Sequence, residues 1–416
     1  MKARRLARYA AEKKTARLGR ILVFTGARQT GKTTLVKEVF PEYRYISIED
    51  PMLRGEYAKL TAAQWQQLYP LAILDEIQKE PRLIESIKSV YDQWANPRYV
   101  LSGSSQLLLM KQVKESLAGR CEVIDLYPLT LPELLTNHWN EDIKDSLFQK
   151  ILLSPAEEVT YPPSFLLDDR MPEKKQAWDH YVRFGGYPAL TDEHLNDQER
   201  ETWLYNYVRT YLERDVRDLA SFRDLEPFLK LQRALAVQTG TLINASVLGS
   251  HIGLTAKTVQ RYIQYLEMSY QTLILPAWDR NQLRRLIKAP KIHYLDHGIL
   301  QAVLQKRGGM TGFEFESLVI AELYKQAKNL LSPVRFYHFR TTDGREVDLL
   351  IETPEGYLAF EIKMSDRVTR QDARHLFNLE EILDKPLLKA FVVSNDPSTR
   401  IISEGIYAVH AAMFLG

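Results

Sequence analysis

The sequence predicts an α/β protein with a sheet-bearing unit at each end and a helical middle between them. Three observations carry this. An apolar strand pattern, Ile21 to Phe24, runs into a glycine-bounded loop and then into a helical pattern from Thr33 to Phe40. Residues 226–276 alternate helical periodicity with polar turns and end in a strand pattern. Near the carboxyl end, two strand patterns flank the turn Pro354-Glu355-Gly356, with charged residues recurring at period two.

The first loop is the most specific element. Gly26-Ala27-Arg28-Gln29-Thr30-Gly31-Lys32-Thr33 fills every fixed position of G-x-x-x-x-G-K-[ST], and Thr34 continues into the helix. Glycines let the backbone N–H groups curl around a phosphate, and the helix adds its positive N-terminal end. Lys32 is placed to reach the β- and γ-phosphates, and the Thr33 hydroxyl to ligate Mg²⁺. ATP with Mg²⁺ is the expected ligand pair. A second buried-strand pattern, Leu71 to Leu74, ends in Asp75-Glu76. Asp75 is expected to hold Mg²⁺ through water, and Glu76 to orient or deprotonate the attacking water. A water-activating base is of no use to a static nucleotide site, so the pair points to hydrolysis. A third strand, Arg98 to Ser102, leads into Gly103-Ser104, a small polar position able to touch the γ-phosphate or the lytic water. Arg120 stands immediately before a fourth, Cys121 to Leu126.

Composition narrows the class. The chain has 416 residues, enough for two or three domains, and 45% of them are hydrophobic, ample for packed cores. Its formal net charge is +2, so nucleic-acid affinity has to come from local patches. The single cysteine, Cys121, excludes an intrachain disulfide and fits a reducing, cytoplasmic compartment. No apolar run approaches the roughly 18 residues of a membrane span. The basic start, Met1 to Arg8, leads into no apolar signal-peptide core.

The expected units are a nucleotide-binding core over 1–136, a linker and helical lid over 137–225, a winged helix over 226–300, and a second α/β unit over 301–416. Residues 137–172 read as turn-rich and irregular. The turn Phe184-Gly185-Gly186-Tyr187-Pro188 separates helical patterns; it reads as a plain interhelical turn, or resembles the lid turn of the AAA+ subgroup containing signalling ATPases, which implies a place near the nucleotide. The winged-helix reading rests on an amphipathic helix from Glu226 to Val237, a short helix capped by Asn244 and ended by Gly253, and a second helix from Leu254 to Leu266. Tyr270 to Pro276 supplies the following strand. Val259, Ile263 and Leu266 are expected to face inward. Lys257, Thr258 and Arg261 are then offered outward, where donors and cations suit phosphate and base-edge contact with DNA. Packing or protein contact is the other use of such a unit.

In the last unit, Glu361 and Lys363 project from one face of a period-two strand, and a hairpin partner brings Asp348 near them. Two carboxylates and an ammonium at one point suit Mg²⁺ binding and activation of water for phosphodiester cleavage. Asp348 and Glu361 are the expected metal ligands, Lys363 the group that positions the nucleophile or offsets charge. Glu316, on an upstream helix, can add a third acid. A solvated charged hairpin is the plainer alternative.

The order of phosphate loop, acid pair, polar-ended strand and arginine before the next strand resembles AAA+ ATPases. That resemblance implies that Arg120 reaches the γ-phosphate of a neighbouring subunit in a homo-oligomer. The D-x12-E-x-K spacing after an acidic helix resembles the restriction-endonuclease-like PD-(D/E)XK superfamily. Nearly the whole chain resembles a prokaryotic family of AAA+ ATPases with a carboxyl-terminal domain of that type. Its marks are G-A-R-Q-T-G-K-T-T, L-D-E-I-Q, G-S-S, S-L-A-G-R, F-G-G-Y-P, K-A-P-K-I-H-Y-L-D, F-E-S-L-V, E-V-D and E-I-K. Two functions are then open: an ATP-driven machine that binds DNA and can cleave it, or a nucleotide-switched signalling or protein-remodelling ATPase whose carboxyl-terminal domain only binds.

Overall fold

The computed structural model describes residues 1–17, 19–103, 113, 115–154, 158–212, 224–341 and 343–416. Ser104 lies outside the described residues, so its place beside a nucleotide stays an expectation.

Five parallel strands build the first sheet: β1 (Ile21–Thr25), β2 (Arg44–Ser47), β3 (Leu71–Asp75), β4 (Arg98–Ser102) and β5 (Cys121–Asp125), in the order β2-β3-β4-β1-β5. All of β1 is buried, as expected for a parallel strand covered on both faces. Alternation divides its side chains. Ile21 and Val23 join Leu74, Leu101, Ile84 and Trp65 on one side, while Leu22 and Phe24 join Ile73, Val100, Leu35 and Val36 on the other. The helix Lys32–Val39 contributes Leu35, Val36 and Val39 to that second layer, which fixes the axis along which the phosphate loop points.

The middle of the chain packs helices Glu226–Val237, Ala245–Ile252 and Ala256–Met268 around Phe228, Leu231, Leu235, Leu248, Val259, Ile263 and Leu266. Asn244 accepts from the N–H groups of Ser246 and Val247, and Gly253 ends the short helix at φ +73°. A two-stranded antiparallel ribbon follows, β6 (Thr272–Leu275) with β7 (Lys291–Tyr294). The strand expected to begin at Tyr270 begins two residues later. Tyr270 instead occupies a left-handed turn at φ +59°.

The last sheet is mixed, in the order β12-β13-β11-β10-β9-β8: β8 (Arg335–Arg340), β9 (Glu346–Glu352), β10 (Tyr357–Lys363), β11 (Leu387–Ser394), β12 (Arg400–Ser403) and β13 (Ile406–His410). β9 and β10 form the expected antiparallel hairpin, with Phe360 opposite Leu349. Helix Gly312–Asn329 covers one face through Phe315, Leu318, Val319 and Leu323, against Phe360, Ile362 and Phe391. The turn-rich stretch after residue 137 joins this same core: Leu147, Phe148, Ile151 and Phe165 pack with it, and Phe148 meets Phe360 and Phe414.

Candidate functional site

The phosphate loop leaves the carboxyl end of β1 through left-handed backbone at Gly26, Gln29 and Gly31. At Gly26, φ is +146°, and a Cβ there would stand 2.2 Å from the Leu126 carbonyl oxygen; Gly31 is also left-handed, at +92°. Lys32, buried at 7% exposure, donates to the carbonyl oxygens of Gly26 (2.8 Å) and Ala27 (2.7 Å). Thr30 Oγ1 donates to Ala27 O (2.9 Å), which closes the loop on itself. Arg28 and Gln29 form its outer rim, and Tyr207 reaches over to donate to the Arg28 carbonyl (2.9 Å). Thr34 is exposed on the first turn of the helix.

Asp75 ends β3 beside Ser102 of β4, and donors converge on its carboxylate. Thr33 Oγ1 (2.8 Å) and the Tyr45 hydroxyl (2.7 Å) donate to Oδ2. Ser102 Oγ and the Glu76 N–H donate to Oδ1. The structure thus brings Thr33 and Asp75 together, two hard oxygen donors of the kind Mg²⁺ takes. Sequence reading missed Tyr45 and Ser102; each is recognisable only once β2 and β4 flank β3. Glu76 follows in the left-handed region at φ +57°. For a residue with a Cβ, that backbone costs about 1–3 kcal/mol and persists where the surroundings impose it, commonly at working sites.

Two further contacts tie this site to the rest of the chain. The turn at Gly185-Gly186 lies against Asp296, whose Oδ2 accepts from Gly186 N–H (2.8 Å), and a Cβ at Gly186 would meet Leu129 O at 2.2 Å. Pro188 then comes to 3.9 Å from where a Gly31 Cβ would stand, so this turn adjoins the phosphate loop. Tyr270 donates to Asp125 Oδ1 (2.7 Å) and shares a hydrogen bond with Thr25 Oγ1 (2.9 Å), the residue directly before Gly26. Its ring packs on Tyr127, which packs on Tyr324 of helix Gly312–Asn329.

Arg120 sits at the amino end of β5, ion-paired with Asp92 at 2.7 and 3.1 Å. The parallel register sets Cys121 opposite Ile21, so this is the sheet edge opposite the phosphate loop. Five strand residues, roughly 16 Å, separate Arg120 from the loop of its own subunit.

Lys257 and Arg261 are exposed on helix Ala256–Met268, and Arg261 lies over the Tyr262 ring at 5.8 Å. Thr258 is half-buried; its hydroxyl shares a 3.0 Å hydrogen bond with that of Thr255, the helix cap.

In the carboxyl-terminal unit the hairpin does bring Asp348, Glu361 and Lys363 together. Lys363 Nζ stands 3.2 Å from Asp348 Oδ2 and 2.6 Å from Glu361 Oε2, while Asp348 Oδ2 also accepts from Ile362 N–H at 2.8 Å. Glu316 comes from the covering helix and pairs with Lys291 at 3.0 Å. Burial, then the negative charge of Asp348, pushes both the Glu316 and Glu361 carboxyls up to about 8. Glu361 Oε1 is buried without a hydrogen-bond partner. His375 Nδ1 stands 3.5 Å from that oxygen. Buried oxygen donors whose ionised forms are penalised form a donor set that suits a divalent cation. Among the described residues, however, no three acidic, imidazole or thiol side chains already stand in a metal-holding group, because lysines bridge the acids.

Three family models match successive parts of the chain: residues 18–135 an AAA domain, 175–308 a domain of unknown function (DUF8612), and 311–414 another (DUF4143). The chain is 26% identical over 354 residues to an uncharacterized protein of Mycobacterium tuberculosis, covering 82% of this chain and 70% of that one. An uncharacterized protein of Haemophilus influenzae is 21% identical over 392 residues, covering 88% of each. Among solved structures, the Walker-type ATPase of Pyrococcus abyssi aligns with a TM-score of 0.46 and 13% identity, over 72% of this chain and 94% of that one. The amino-terminal unit is a P-loop domain of AAA type. No helix among the described residues is long and apolar enough to cross a membrane.

Proposed function

We propose that this protein hydrolyses ATP at the loop Gly26–Thr33 and couples the cycle to DNA. The observation that carries the reading is the convergence of Thr33 and Asp75, with Glu76 next in the chain, at the mouth of the phosphate loop. Thr33 and Asp75 would hold Mg²⁺, which supplies charge neutralisation at the β- and γ-phosphates. Lys32 exchanges its two loop carbonyls for phosphate oxygens, and Glu76 takes the proton of the attacking water.

Arg120 cannot serve its own loop, so its role in hydrolysis requires a neighbouring copy. Arg120→Ala is expected to lower turnover while nucleotide affinity is kept, and ATP is expected to drive assembly. Light scattering that finds a fully active monomer contradicts the assignment.

We read residues 226–300 as a winged helix that offers Lys257, Thr258 and Arg261 to DNA, and the carboxyl-terminal unit as restriction-endonuclease-like. Asp348, Glu361 and Glu316 would hold a divalent cation there; Lys363 would position the nucleophile for phosphodiester cleavage. The bridging of Asp348 and Glu361 by Lys363 favours a second reading, in which this unit grips a partner without cutting. Binding isotherms at several salt concentrations separate DNA binding from a signalling or remodelling role. If the helix contacts phosphates, Lys257→Ala with Arg261→Ala weakens duplex binding and reduces the salt slope by about 2. Unchanged affinity and slope favour the signalling or remodelling role.

A further inference from the structure

The carboxyl-terminal acids are compensated by two ammonium groups, and one of them comes from another unit. Lys291 opens β7, the second strand of the ribbon, and is buried at 3% exposure. Its Nζ stands 3.0 Å from Glu316 Oε1 and 2.7 Å from Glu346 Oε1. Glu346 lies two residues before Asp348 on β9, hence on the same face of that strand. The pattern is then symmetric: Lys363 bridges Asp348 and Glu361, and Lys291 bridges Glu316 and Glu346. Only Lys363 lies within the hairpin. Lys291 arrives through the ribbon that closes the helix unit, so the acidic site is incomplete without the middle of the chain.

We infer that Lys291 is a positioning residue of the acidic site, a resident cation that holds Glu316 beside Asp348 and competes with a divalent ion for the Glu316 carboxylate. This rests on reading the site as one for divalent cations. An ammonium buried against a carboxylate satisfies the charge that a second cation would otherwise neutralise. Its removal frees the Glu316 and Glu346 carboxyl oxygens that the ammonium now occupies, and in such a medium a unit positive charge at contact distance changes the affinity for a second cation steeply. Loss of Lys291 therefore makes the site a stronger, not a weaker, cation binder. A lysine with a merely structural role would not produce that sign.

The test is Mn²⁺ binding to the full chain by calorimetry, with thermal unfolding recorded with and without Mn²⁺. Lys291→Met is expected to bind Mn²⁺ at least about tenfold more tightly than wild type, to unfold at lower temperature without the ion, and to recover more on adding it. Lys291→Arg, which keeps the charge, is expected to match wild type. Should Lys291→Met fold poorly, Lys291→Gln, neutral and still able to hydrogen-bond both acids, carries the same expectation. Equal or weaker Mn²⁺ affinity in a folded neutral variant overturns the inference. Asp348→Asn in the wild-type background separates the two failures. If it abolishes Mn²⁺ binding while Lys291 variants change nothing, the cation site stands and the role of Lys291 falls. If neither wild type nor any variant binds Mn²⁺, both fall.

Discussion

Glu76→Gln is expected to bind ATP as wild type does and to turn it over about 10²–10⁴ times more slowly. The substitution keeps side-chain length and leaves Lys32, Thr33 and Asp75 untouched, so phosphate and Mg²⁺ contacts survive; only the group that can take a proton from water is lost. Lys32→Ala is its complement. Buried Lys32 spends its charge on the Gly26 and Ala27 carbonyls, ready to be handed to phosphate, and its removal is expected to weaken binding itself. Rapid-quench turnover combined with nucleotide titration distinguishes the two effects. Full hydrolysis by purified Glu76→Gln protein removes Glu76 from the role of base.

The largest expected loss of stability lies away from both sites, at Glu322. On helix Gly312–Asn329, Glu322 and Lys325 are both completely buried and 3.3 Å apart. Lys325 also donates to the Tyr181 hydroxyl at 2.5 Å. Glu322 Oε1 accepts from Leu131 N–H (2.7 Å) and Gln326 Nε2 (2.8 Å), which binds the end of the nucleotide unit to the covering helix of the last sheet. Glu322→Ala leaves the buried Lys325 ammonium against the Tyr181 hydroxyl and ring without its glutamate. Breaking a buried pair from one side costs about 3–5 kcal/mol. By denaturant unfolding, adding Lys325→Met to Glu322→Ala should recover much of that loss, since the unpaired ammonium is then gone; a Glu322→Ala variant within about 1 kcal/mol of wild type, on the scale of exposed pairs, contradicts the assignment.

Glu322 also shows where sequence reading stops. Nothing in the local spacing of Glu314, Glu316, Glu322, Lys325 and Lys328 shows that such charges are buried, yet most of those side chains lie under the sheet and against the segment from Leu131 to Phe148. Only tertiary context can give such charges partners. Local patterns were legible for the opposite reason. The phosphate loop needs glycines at fixed positions, β1 and β3 are apolar up to their last residues, and the hairpin of β9 and β10 is set by period two and a Pro-Glu-Gly turn. Thr33 meeting Asp75, and Lys363 meeting Asp348 and Glu361, followed from those patterns alone. Tyr45, Ser102 and Tyr270 did not, because each acts through a neighbouring strand or unit whose position no local spacing encodes. Lys291 was visible as part of a stretch, K-A-P-K-I-H-Y-L-D, but its acidic partners come from a helix and a strand that follow it by 25 and 55 positions.

The central claim is that nucleotide turnover at the phosphate loop answers to DNA held by the middle and carboxyl-terminal units. The steady-state ATPase rate, measured with no nucleic acid and with saturating single-stranded, duplex or branched DNA, tests it most directly. Wild type is expected to change its rate with at least one of these, and Lys257→Ala with Arg261→Ala to blunt that response while keeping the basal rate. A wild-type rate unmoved by every form of DNA, at low salt and in the presence of Mg²⁺, contradicts the claim and leaves a nucleotide switch acting on protein.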